Sequence, residues 1–170
     1  MTLADIAALG SLVSGIAVVG SLIFVGLQTR QNAHAVRSST AQAIHDNYAN
    51  WYLSMAENTS ALATSLKGFV DYDGLSSVEK AQFISTFMAF TSHSQNAFYQ
   101  WRDGDLPQRL WIGWEALMGN IFLTSGGQAF WKERSFVFGE DFQAHVKLLM
   151  SRRPNPMAKA FGVVPLLNPT

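Results

Sequence analysis

Four histidines, His34, His45, His93 and His145, carry most of the acid–base and metal-binding chemistry that this sequence can offer. Asp141 and His145 are four residues apart, so a helix would place a carboxylate and an imidazole on one face, where they could share an ion. Two ligands fall short of a site. A di-iron bundle needs paired Glu-x-x-His sequences and a zinc protease needs His-Glu-x-x-His; neither occurs. The pair is therefore expected to be an acidic residue near a helix start and a surface or half-buried histidine. His93 lies among Ser92, Ser94, Gln95 and Asn96. That cluster is expected to be hydrogen-bonded internally, with a small-ligand site as the alternative. The absence of cysteine excludes disulfides, thiol nucleophiles, zinc ribbons and cysteine-held iron–sulfur clusters. Gly126-Gly127 reads as a helix stop rather than a phosphate loop, and no G-x-S-x-G elbow occurs. The residues thus predict no catalytic group, no cofactor and no metal.

A second spacing suggests packing. Ala7, Gly10, Ser11, Ser14, Gly15, Ala17 and Ser21 form repeated i,i+4 pairs of small residues, the pattern that lets helix backbones approach closely inside a bilayer. They lie within residues 6–29, which carry no charge between Asp5 and Arg30. That run exceeds the ~20 residues a membrane-spanning helix needs. A helix also satisfies every backbone polar group within the segment, as hydrocarbon demands. The preceding MTLAD lacks the basic residues of a secretory signal, and the apolar run is longer than a signal's core, so an uncleaved anchor is expected. No basic residue precedes the span, while Arg30 and Arg37 follow it. The N-terminus is therefore expected outside, and the rest of the chain in the cytoplasm.

Such an anchor needs an element to carry it onward. Residues 27–67 contain neither glycine nor proline, and Val36, Ile44, Tyr48, Trp51, Tyr52 and Met55 recur near a 3.6-residue period. One helix is expected to leave the membrane and reach about residue 57. Val25, Leu27, Gln28, Arg30, Gln31, Asn32, Ala35, Arg37 and Ser39 form a (V/I)-x-L-Q-x-R-Q-N pattern followed by A-x-R-x-S. With the later Trp131, Arg134, Phe136 and Phe138, this resembles a family of small uncharacterised bacterial single-pass membrane proteins. The resemblance implies an anchored helical domain and no activity.

Further along, residues 62–70 form a short apolar piece before a turn-rich stretch. Ser76-Ser77-Val78-Glu79 is a capping-box pattern that should start a helix, with Phe83, Phe87, Phe90, Ala97, Phe98 and Trp101 on one face and a stop at Gly104. Asp105 is expected to cap the next helix, with Pro107 in its first turn. Its apolar face would hold Leu110, Trp111, Trp114, Leu117, Met118, Ile121 and Phe122, ending at Ser125-Gly126-Gly127. A shorter helix carries Phe130 and Trp131. The last helix should run from Glu140 and Asp141 to Arg152 and Arg153, charges that suit its dipole. Four prolines then make an extended tail, whose residues 161–167 are apolar enough to dock on a neighbour or a membrane.

The expected architecture is all-α: an anchor (1–30), a helical domain (31–153) that includes a juxtamembrane helix (31–57), and a tail (154–170). Trp51, Tyr52, Trp101, Trp111, Trp114 and Trp131 are expected in the core or, where exposed, at an interface. Twelve basic residues against twelve acidic ones give no electrostatic footprint for nucleic acid. The expected partners are the lipid bilayer and either further copies of this chain or other membrane-complex subunits. The sequence thus predicts a non-enzymatic, self-assembling scaffold of the bacterial inner membrane. The alternatives are an accessory subunit of a respiratory or photosynthetic complex, and a small-ligand sensor or enzyme built around His93.

Overall fold

A computed structural model describes residues 2–152, and every regular element among them is helical. The expected tail, 154–170, lies outside the described residues. The chain divides into two compact units, residues 1–39 and 40–170.

Helix α1, Leu3–Glu57, is unbroken. Within the first unit its described side chains are exposed, and it is long and apolar enough to cross a membrane. Within the second unit the same helix acquires a buried face, with Ile44 and Met55 in the core and Tyr48, Trp51 and Tyr52 half-buried. It is attached there by long side chains. Trp51 donates from Nε1 to the Thr86 carbonyl at 3.4 Å and packs 5.1 Å from the Phe90 ring, while Tyr48 meets Trp114 edge-on at 4.6 Å.

The other helices are α2 (Thr59–Val70), α3 (Ser77–Arg102), α4 (Gln108–Phe122), α5 (Ser125–Arg134) and α6 (Glu140–Ser151). A 3-10 turn, Ser135–Val137, joins the last two. Helix α3 packs on α2, α4 and α5, α4 also packs on α5 and α6, and α5 also packs on α2. The α3 capping box forms as expected: Ser76 Oγ accepts from the Glu79 amide, and Glu79 accepts from the Ser76 amide at 2.7 Å. That bond, with Lys67 2.9 Å away, holds the Glu79 carboxyl down at about 2. Gly104 ends the turn after α3 at φ +82°, a left-handed conformation that favours glycine.

Four expectations about boundaries are corrected. Residues 62–70 belong to a full helix, α2, whose start is capped by Asn58 accepting from the Ala61 amide at 3.0 Å. Asp105 does not cap α4. Its amide and that of Leu106 donate back to the Gln100 carbonyl, and Pro107 takes the cap position without a side-chain bond. Gly126-Gly127 does not stop α4 but opens α5, with Thr124 as cap accepting from the Gly127 amide at 3.0 Å. A Cβ at Gly126 would stand 2.3 Å from the Gly68 carbonyl oxygen, so Gly126 lets α5 approach the α2 backbone closely, while a Cβ at Gly68 would meet the Phe83 ring at 2.4 Å. Finally, Arg152 is the extended cap of α6 rather than its last turn, and Arg153 lies outside the described residues.

The core is aromatic. Phe87 sits between 4.6 and 6.1 Å, ring centre to ring centre, from Phe69, Phe83, Phe90, Phe122 and Phe130. Edge-to-face and tilted pairs at such spacings stabilise beyond the area they bury, by about 0.5–1.5 kcal/mol each.

Candidate functional site

Two regions answer to the sequence expectations: the small-residue face of α1 and the polar groups around the aromatic core.

Ala7, Gly10, Ser11, Ser14, Gly15, Ala17 and Ser21 all lie on α1. At 100° per residue they occupy an arc of about 160°. A Cβ added at Gly10 or Gly15 would meet no atom within 4 Å, so their surface belongs to whatever lies outside this chain. The Ser21 hydroxyl donates to the Ala17 carbonyl at 2.8 Å, which satisfies it within its own helix and keeps the face compatible with hydrocarbon. Val18, Leu22 and Val25 cross the same arc and close it after about five turns. Leu12, Val19 and Ile23 point away from it, Phe24 borders its edge, and all four are exposed.

The six aromatics separate by depth. Trp111, Trp114 and Trp131 are buried, while Trp51, Tyr52 and Trp101 are half-buried and keep surface to offer a partner. Trp101 stacks on Trp111 at 4.9 Å with planes 9° apart, and its Nε1 donates to Gln108 at 2.6 Å. Tyr48 and Tyr52 touch edge-on at 4.6 Å; burial raises the pKa of both phenols, most strongly at Tyr48.

The members of the His93 cluster turn to different partners. Buried Ser94 donates to the Phe90 carbonyl, Gln95 accepts from the Gly139 amide at 2.8 Å, and Ser92 and Asn96 face outward. Gln95 thereby ties α3 to the entry of α6. Among the described residues no three His, Asp or Glu side chains are placed to hold a metal ion.

Asp141 and His145 are drawn to different partners. Asp141 pairs with Arg102 of α3, whereas His145 Nε2 lies 3.3 Å from a Glu115 carboxyl oxygen on α4. The approach is close but not aligned as a hydrogen bond, so this buried nitrogen has no hydrogen-bond partner among the described residues. Arg152 reaches the same carboxylate at 3.6 Å, and the imidazole packs 4.9 Å from Phe98 and 5.6 Å from Trp111. Burial holds the His145 pKa below its ordinary value; Glu115 opposes that and Arg152 adds to it. The Glu115–His145–Arg152 group is not legible in the sequence, because its members come from two helices with no shared spacing. Chemically it is a Glu115–Arg152 ion pair set beside a half-buried imidazole and aromatic rings.

No family model matches this chain, and neither the curated proteins nor the solved structures contain a significant match to it.

Proposed function

We propose that this chain is a non-enzymatic, single-pass protein of the bacterial inner membrane that assembles with copies of itself into a helical scaffold. Its N-terminus lies outside and its helical domain in the cytoplasm. The observation that carries this reading is the first unit of α1. Each large apolar side chain there from Leu12 to Leu27 is more than half exposed, and the most apolar window has no buried residue. Lipid covers such a surface, and the glycine and serine face fits a second helix. Arg30 and Arg37, with no basic residue before the span, support the orientation. The resemblance of residues 25–39 to small anchored bacterial proteins agrees with it.

The second reading is an accessory subunit of a larger inner-membrane complex, respiratory or photosynthetic. It is favoured by the 3-10 turn, where Phe136 is 72% and Val137 51% exposed, a pair that a partner protein would cover. A sensor or enzyme around His93 is the third, and the local bonding of Ser94 and Gln95 weighs against it.

The deciding experiment is the mass and protein content of the particle extracted gently in detergent. A large particle of this chain alone supports the scaffold. Foreign subunits would replace it with the accessory reading, and a bare monomer would end both. Gly10→Leu and Ser14→Leu should shift the particle toward smaller species while leaving membrane insertion intact. Unchanged size in both variants would remove the small-residue face from the assembly.

A further inference from the structure

Helix α4 separates two grooves of the second unit. On one flank Ile44 and Tyr48 of α1 oppose Leu106, Leu110, Trp114 and Leu117 across an apolar groove of about 220 Å³. On the other flank Ile112, Glu115, Gly119, Leu149 and Arg152 line a mixed groove of about 260 Å³. The ridge between them is thin and open. Gly113 borders the first groove and Ile112 the second, Ile112 is 56% exposed, and a Cβ at Gly113 would meet nothing within 4 Å.

Arg152 lines the second groove and is also where the described chain ends, with residues 153–170 still to follow. That segment reads RPNPMAKAFGVVPLLNPT. Only Arg153 and Lys159 are charged, and Phe161, Val163, Val164, Leu166 and Leu167 form an apolar run. Left in water, five such side chains would be an aggregation hazard. The prolines at 154 and 156 prevent α6 from simply continuing. Residues 153–160 can span about 26 Å at ~3.3 Å per residue. That exceeds the roughly 10–12 Å width of a helix. The chain therefore starts in the polar groove with enough length to cross the Ile112–Gly113 ridge and bring its apolar run to the apolar groove.

We propose that residues 161–167 of each chain dock in that chain's own α1–α4 groove, so that the tail straps α4 and covers Leu110 and Trp114. Trp114 is buried, lines the groove, and its Nε1 has no hydrogen-bond partner among the described residues.

The chain has no cysteine, so two introduced ones report on each other alone. In the full-length protein, Gly113→Cys combined with Val164→Cys should form a disulfide within one chain under mild oxidation, seen as a faster-migrating monomer on a non-reducing gel. The reference pair is Ser60→Cys with Val164→Cys, since exposed Ser60 lies on α2, which packs on α3 and α5. The Gly113 pair should close at least tenfold faster. A bond between two chains would mean that a second copy fills the groove and would overturn the proposal, as would equal rates for the two pairs. A second readout avoids any strain at Gly113. A lone Leu110→Cys should react several-fold faster with a maleimide once Phe161, Val163, Val164, Leu166 and Leu167 are all changed to Ser. Unchanged reactivity, with tryptophan fluorescence reporting an intact fold, would show that the tail does not cover this groove.

Discussion

Residues 10–27 and residues 83–122 are both dominated by apolar side chains, yet the structure treats them in opposite ways. In the first stretch the apolar residues are mainly Val, Leu and Ile interleaved with Gly and Ser; Leu22 is 67% exposed and Phe24 66%. In the second the largest buried side chains are Phe and Trp, and Phe90, Trp111 and Phe122 are 1% exposed or less. The difference lies in what each stretch completes on its own. Aromatic side chains are long enough to reach one another across helices, so the second stretch generates its own interior. The small and aliphatic side chains of the first stretch lie on one helix, are too short to do so, and remain exposed. Hydrophobicity alone therefore does not distinguish a core from an exposed helix long and apolar enough to cross a membrane. Side-chain size and angular distribution do.

The largest test of this contrast is Phe87→Ala. Phe87 touches five other phenylalanines, and its loss should lower the stability of the second unit by about 3–5 kcal/mol. All five tryptophans lie between residues 51 and 131, so fluorescence during urea unfolding in detergent reads that unit selectively. Ile16→Ala, which deletes apolar volume from the exposed stretch, should leave the same transition within about 0.5 kcal/mol. Equal losses from the two substitutions would break the comparison.

Glycine sharpens it further. Gly126→Ala forces a methyl against the Gly68 carbonyl oxygen and the Phe83 ring, and should cost about 1–3 kcal/mol by pushing α2 and α5 apart. Gly15→Ala meets no atom of this chain and should leave the unfolding midpoint in place. A smaller effect is expected at Thr124, which accepts from the Gly127 amide and donates to the Ile121 carbonyl at 2.7 Å. Thr124→Ala should cost about 1 kcal/mol, close to the usual value of a lost cap. A shift near zero would mean that the α5 start is held by packing alone.

These positions also show what can be read from sequence. The Ser76–Glu79 box is legible because both partners sit within one turn and need no third element. The unbroken α1 is legible because glycine and proline are absent from residues 27–57. Gly126-Gly127 misleads because a glycine pair has the same local meaning at a helix stop and at a close crossing. Only the position of Gly68 on α2 decides between them. Asp105 misleads for a related reason: the Gln100 carbonyl captures its amide and that of Leu106, delaying the helix past the cap that the residue types suggest. Of the candidate sites, the small-residue face follows from spacing along one helix. The true neighbours of His145 do not, since Glu115 reaches it from α4.

That histidine supplies the smallest expected effect, and its sign can be worked out. Burial among Phe98 and Trp111 favours the neutral imidazole and outweighs the nearby Glu115 carboxylate, so the folded pKa lies below the ordinary 6.5. The unfolded chain therefore binds more protons than the folded one as the pH falls through about 6.5. Stability from this group is fully present above that pH and declines below it until the folded imidazole also protonates. The charged groups facing it pull in both directions: Glu115 would welcome an imidazolium, Arg152 would not, and the nearby Asp141 is engaged by Arg102. Acidification from pH 7.5 to 5.5 should thus lower the urea midpoint of the wild type, and His145→Phe, which keeps the aromatic packing, should flatten that part of the slope. A steeper slope in His145→Phe would mean that the Glu115 ion pair, rather than burial, governs the site.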